Sequence, residues 1–220
     1  MGDLARLLKD FGPAFINSAA VTWKLTVISY SLGVLLGIVL TVLRVLPIRP
    51  LKLLVNAYVE IFRNIPTVAL LIIIVFALPD LHILIDYEPS VIVALMLVCS
   101  AFTADNLRSG INTVDAGQIE ASYSLGMSLL KTMYDIVLPQ ALRAVVQPMT
   151  SLLIGLMLST AIASQVPVPH RELTGLVDMI NNETASGILT FIITAGFYVA
   201  SGLLISWAGA ALDRKVRVLR

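Results

Sequence analysis

The chain has 220 residues, 58% of them hydrophobic and only 13% charged, with a net charge of +1 and a mean hydropathy of +0.91. That composition excludes a soluble domain with an ordinary surface and describes an all-α polytopic membrane protein, and a charge this close to zero gives no footing for nucleic acid. The one cysteine, Cys99, lies in an apolar run, which excludes an intrachain disulfide and a zinc site of the usual Cys/His spacing.

Residues 1–12 interleave Asp3, Arg6, Lys9 and Asp10 with Leu4, Leu7, Leu8 and Phe11. This is an amphipathic helix pattern rather than the basic tip and apolar core of a signal peptide, so the first span is expected to be retained. A bilayer crossing needs about 20 apolar residues, and five stretches supply them, at about 18–43, 55–78, 89–107, 139–165 and 187–210. In the first, Lys24 beside Trp23 reads as a base snorkelling to the outer interface. In the second, Glu60 and Arg63 stand at i, i+3 and either neutralise each other or serve a polar path, because Arg63 and Asn64 precede Pro66, which frees a backbone carbonyl. The third is the weakest, with Asp105 and Arg108 soon after the run from Val91 to Phe102.

Between the third and fourth spans lies a loop over about 108–138. Asn112, Thr113 and Asp115 offer caps for a helix over 115–124, on which Ile119 and Tyr123, and Ala116 and Glu120, are spaced i, i+4. Gly126 permits a sharp turn. A second helix over about 127–137 is expected to carry Leu130, Met133, Tyr134 and Val137 on one face. Pro139 then starts the fourth span, where its missing N–H costs little. An apolar ridge flanked by an acid suits a short helix entering a groove on a soluble partner; the competing reading is an ordinary capped hairpin with Glu120 merely solvated.

Late in the fourth span, Ser159, Thr160, Ser164 and Gln165 form a polar strip ahead of Pro167 and Pro169. The strip reads as an irregular, water-lined end facing a substrate, against the alternative that such hydroxyls bond only their own backbone. His170 and Arg171 follow in a loop, either as a docking contact or as plain solvated groups.

Lysine and arginine set the orientation. Arg44, Arg49 and Lys52 follow span one with no acid among them, and Arg214, Lys215, Arg217 and Arg220 follow span five. The loop with Asp80, His82, Asp86 and Glu88 has no Lys or Arg, and the last loop sets Arg171 against Glu172, Asp178 and Glu183. The positive-inside rule places the C-terminus and the 108–138 loop in the cytoplasm and the N-terminus outside. No internal repeat is visible, so residues 1–220 read as one transmembrane domain.

Glu120-Ala121-Ser122-Tyr123-Ser124-Leu125-Gly126, then nine residues, then Ile136-Val137-Leu138-Pro139, resembles the EAA loop of ATP-binding-cassette importer permeases. The likeness extends to Tyr58-Val59-Glu60-Ile61-Phe62-Arg63-Asn64-Ile65-Pro66, to Leu107-Arg108-Ser109-Gly110-Ile111 and to Gly117-Gln118. It is nearest to bacterial permeases for polar amino acids, most like the glutamate and glutamine members. The resemblance implies a type I importer permease of five transmembrane helices in the bacterial inner membrane. Such a subunit has no catalysis and no cofactor of its own, and no phosphate-binding loop occurs in this chain. The implied partners are a cytoplasmic ATPase dimer, a second homologous permease, an extracellular amino acid-binding protein and membrane lipid. Coupling to the ATPase would fall to Glu120, Ala121, Ser122, Gly126 and Pro139, and the substrate path to Arg63, Asn64, Ser159, Thr160, Ser164 and Gln165. Where the family commonly has Lys-Asp/Asn-Thr-Ser-Leu, this chain has Leu158-Ser159-Thr160-Ala161-Ile162, a loss of charge that favours a heterodimer. The alternative is a stand-alone channel or secondary carrier for small polar solutes, which would call for intramembrane acids or inverted repeats.

Overall fold

The computed structural model describes residues 2–184 and 187–216, with side chains from Arg6 onward, and every regular element among them is helical. Arg217 and Arg220 of the basic C-terminal cluster lie outside the described residues. Among the described residues four helices are long and apolar enough to cross a membrane, and a bent pair can make a fifth span.

Helix α1 (Gly2–Val45) joins the amphipathic segment and the first span without a break and continues through Pro13. Its 44 residues extend about 66 Å at 1.5 Å per residue, roughly twice the hydrocarbon thickness. Helix α4 (Tyr87–Ile111) runs parallel to it: Lys24 pairs with Glu88, Gly33 packs on Cys99, Gly37 packs on Thr103, and Arg44 comes within 4.0 Å of Asp105. Lipid tails are as apolar as leucine, so contact here is gained through close packing of small residues rather than by escape from water. Gly37 is required for it, since a Cβ there would lie 2.5 Å from Thr103 Cβ and 2.8 Å from the Ser100 carbonyl oxygen. Lys24 is therefore paired rather than merely snorkelling, and Cys99 is fully buried, as a small packing residue.

The expected second span is two helices, α2 (Arg49–Asn64) and α3 (Thr67–Ile72), the latter continued by a π turn over Ile73–Ala77. They meet at 105°. Pro66 has no N–H to continue the ladder and drives Ile65 out of the helical region, to φ −78° and ψ 131°. Arg63 does not neutralise Glu60; its Nη1 pairs with Asp105 Oδ2 at 2.8 Å. Helix α4 continues past the end expected at 107, to Ile111.

The fourth span is likewise segmented. Helix α5 (Ala116–Ser124) and α6 (Leu129–Thr132) form the loop, a π turn (Met133–Val137) leads into α7 (Leu138–Ala144), and α8 (Val146–Ser159) tightens into a 3₁₀ turn at Thr160–Gln165. Pro139 and Pro148 cannot donate to Asp135 and Ala144, and the π turn and the break at Val145 fall at those two places. The last loop contains a helix that the charge pattern did not suggest, α9 (Leu173–Thr184), before α10 (Gly187–Val216). Leu173, Leu176 and Ile180 of α9 are buried against Leu7 and Phe15 of α1, so the two cap one end of the bundle.

Candidate functional site

The 108–138 loop is a built object rather than a slack connection. Asp115 caps α5 by accepting the Gly117 N–H at 2.6 Å, and Ser128 caps α6. Between them Gly126 takes φ +77°, a left-handed conformation that suits glycine, and the turn is closed by Gly126 N–H to the Tyr123 carbonyl at 2.9 Å and Met127 N–H to the Ser122 carbonyl at 3.0 Å. Buried Ser122 and Thr132 share a hydroxyl contact at 2.9 Å, and Gln140 Nε2 donates to Gln118 Oε1 at 2.6 Å. Both tie α5 to the chain beyond the turn.

Glu120, Ala121 and Pro139 are exposed on this loop. The same loop exposes Tyr123, Leu125, Leu129, Leu130 and Tyr134, with Leu125 and Leu130 both 82% exposed. The second helix does not keep its expected face: Leu130 and Tyr134 point out while Val137 is 1% exposed. The π turn between them adds a residue to the helical step and shifts the register of the face.

The six residues expected along a substrate path are not brought to one place. Ser159 lines a cleft of about 480 Å³ with Thr67, Phe102, Asn106, Ser151 and Gly155. Ser164 and Gln165 line another, of about 390 Å³, with Arg171, Glu172, Asp178 and Asn182. Thr160 is buried, its hydroxyl given to the Met157 carbonyl at 2.7 Å. Ser159 and Ser164 also bond their own helix, at 2.8 Å each, so the backbone-bonding alternative describes all three hydroxyls, although two of them still face a cleft. Arg63 lies over the Phe102 ring at 5.3 Å, beneath the first cleft, and Asn64 donates to the Glu60 carbonyl at 2.6 Å.

Glu172 and Asp105 were missed as site residues. Glu172 is 0% exposed; its carboxylate accepts from the N–H groups of Thr174 and Gly175 at 2.6 and 2.7 Å and from the Tyr198 hydroxyl at 3.2 Å. Burial pushes its carboxyl above the ordinary carboxylate value, against the pull of those donors. The signal was present: an acid directly before apolar residues at 173, 176 and 180 marks a helix start. Asp105, read only as a charge ending a span, is the shared partner of Arg44 and Arg63. Among the described residues, no cluster of His, Cys, Asp and Glu could hold a metal ion.

Residues 33–218 match the family described as "Binding-protein-dependent transport system inner membrane component". Among curated relatives, the arginine transport system permease protein ArtQ of Bacillus subtilis is 32% identical, covering 93% of both chains. The probable glutamine ABC transporter permease protein GlnP of the same organism is 34% identical over 88% of this chain and 89% of its own. The glutamate transport system permease protein GluC of Corynebacterium glutamicum is 32% identical over 89% and 91%. A crystal structure of an amino acid ABC transporter with histidines superposes with a TM-score of 0.89 at 29% identity, covering 94% of this chain and 96% of that one. An inward-facing MetNI methionine transporter, at 24% identity and a TM-score of 0.71, shares the fold.

Proposed function

Since the chain belongs to the binding-protein-dependent transport system inner membrane components, non-catalytic permease subunits of ABC transporters, we propose that it is the membrane-spanning subunit of an importer for polar or basic amino acids. Relatives carrying arginine, glutamine and glutamate support that class. They do not narrow it to the glutamate and glutamine members. In this reading residues 1–220 are one domain of the bacterial inner membrane, with the N-terminus outside and the C-terminus in the cytoplasm.

The observation that carries the reading is the capped two-helix loop that exposes Glu120 together with Leu125, Leu130 and Tyr134. An apolar ridge with one acid, held by caps and by the Ser122–Thr132 contact, suits a groove on a cytoplasmic ATPase dimer. Ala121 allows close approach, Gly126 and Ser122 hold the angle between the helices, and Pro139 sets the junction with the fourth span.

The path would run from the cleft of Ser164 and Gln165, below an extracellular binding protein, to the cleft of Ser159, with Thr160 between them and Arg63 and Asn64 at the inner end. The Ser159 cleft has no charged lining residue. Burying both charges of an amino acid there without partners is costly, so a second, more polar permease is the natural complement and a heterodimer is favoured. A stand-alone channel or carrier finds no such support.

Co-purification of tagged permease with ATPase and partner permease tests the reading. Glu120→Lys and Leu130→Glu are each expected to cut ATPase recovery at least tenfold while the permease still extracts as a folded protein. Undiminished recovery and uptake in both variants would refute the docking surface, and a partner identical to this chain would refute the heterodimer.

A further inference from the structure

Helix α2 is built unlike a spanning helix. Arg49, Lys52, Asn56, Glu60 and Arg63 succeed one another at steps of three and four, a single polar stripe. Val55 and Val59 form a second stripe, buried against α1 and α4. Leu54, Ala57 and Ile61 form a third, apolar and exposed, with Leu54 at 69% and Ile61 at 57%.

Its depth can be read from α4. Glu88 and Arg108 are separated by about 30 Å along that helix, the thickness of the hydrocarbon core, and so mark its two boundaries. Tyr58 bonds Ser100 at 2.7 Å, Arg63 pairs with Asp105, and Asn56 accepts from Arg44, all in the half nearer Arg108. Thr67, just past the break, still lies in the cleft with Val98 and Phe102. The crossing is made after the 105° bend, where Leu70, Leu71, Ile74 and Val75 pack in one core with Val91, Ala94 and Leu95. Over its 16 residues, about 24 Å, α2 therefore gains little depth.

We propose that α2 lies in the plane of the inner leaflet and binds the headgroups of anionic phospholipid. Arg49 and Lys52 meet the phosphates, and Leu54, Ala57 and Ile61 rest among the upper acyl chains. Charge selects this occupant: both bases are exposed, and no acid occurs between Arg44 and Val59. An exposed apolar stripe beside an exposed basic one, at the depth where hydrocarbon gives way to headgroups, is complementary to an anionic bilayer surface. The assignment rests on the membrane placement given above and not on what the importer carries.

Two measurements on the full-length permease, in the assembly in which it purifies, test this. First, single cysteines at Leu54, Ala57 and Ile61, in a Cys99→Ala background, are spin-labelled in nanodiscs and their depths read from oxygen accessibility. Equal, shallow depths with oxygen access support the proposal. A gradient of about 10 Å from Leu54 to Ile61, as a spanning helix gives, overturns it, and so do three sites closed to oxygen, which would mean a protein partner. Second, native mass spectrometry compares retention of phosphatidylglycerol and phosphatidylcholine. Phosphatidylglycerol is expected to be preferred, and Arg49→Gln with Lys52→Gln to reduce that preference on the order of tenfold. A preference unchanged by the pair refutes the headgroup contact even where uptake is normal, and a wild-type assembly that keeps the lipid preference but takes up no amino acid would instead count against the transport reading.

Discussion

At the scale of single residues, one buried acid and one ion pair give measurable contrasts. Glu172 has a folded pKa above its ordinary value. The folded state therefore holds that proton more tightly, and the stability it contributes is full below the ordinary carboxylate pKa of about 4.3 and falls as pH rises through the raised value. Thermal melting of wild type against Glu172→Gln should show wild type losing ground steadily as pH rises from the ordinary carboxylate range toward neutrality; a constant difference across that window would contradict it. The Arg63–Asp105 pair is the opposite case, with side chains 40% and 30% exposed. Solvent screens such a pair, so a double-mutant cycle with Arg63→Gln and Asp105→Asn should return a coupling of no more than about 1 kcal/mol. A larger coupling would show that the assembled importer buries the pair.

At the scale of elements, the tightest constraint is the α1–α4 seam. Gly37→Val forces a branched side chain into Thr103 and the Ser100 carbonyl, at an overpacking cost of about 1–3 kcal/mol. Thr103→Ala in the same chain should return part of that, as read by thermal melting in detergent; equal losses in the single and double variants would place the strain elsewhere. How far these elements were legible depends on what encodes them. Runs of apolar residues and the caps Asp115 and Ser128 act locally, so the long helices and the two-helix loop over 108–138 followed from the chain itself. The bend at Pro66 was visible as a lost donor but not as a right angle, because the angle is set by what α2 packs against. The break at Val145 and the π turn before Pro139 were hidden for the same reason. Helix α9 was lost because Glu172, Asp178 and Glu183 looked like a solvated loop, although Glu172 turns inward as a cap. The residues expected along a path were chosen by polarity, by the prolines that follow them and by the family resemblance, and none of these can tell Thr160, facing its own backbone, from Ser159, facing a cleft.

At the scale of the whole molecule, the orientation is open to direct labelling. In a Cys99→Ala background, a cysteine beside Asp86 or Asp178 should react in intact cells with an impermeant thiol reagent, and one beside Lys131 or Lys215 should react only after permeabilisation. Labelling at the Lys131 site in intact cells would invert the topology and remove the loop from the ATPase. The parallel seam also governs the order in which the protein can be made. Lys24 and its partner Glu88 are 64 residues apart, so at about 5–20 residues per second a ribosome needs several seconds to supply the second after the first. Throughout that interval Gly33 and Gly37 of α1 lack the Cys99 and Thr103 side chains that pack on them, and Lys24 lacks Glu88. The first helix therefore waits several seconds for its mate, and a truncation upstream of Glu88 leaves it with neither contact.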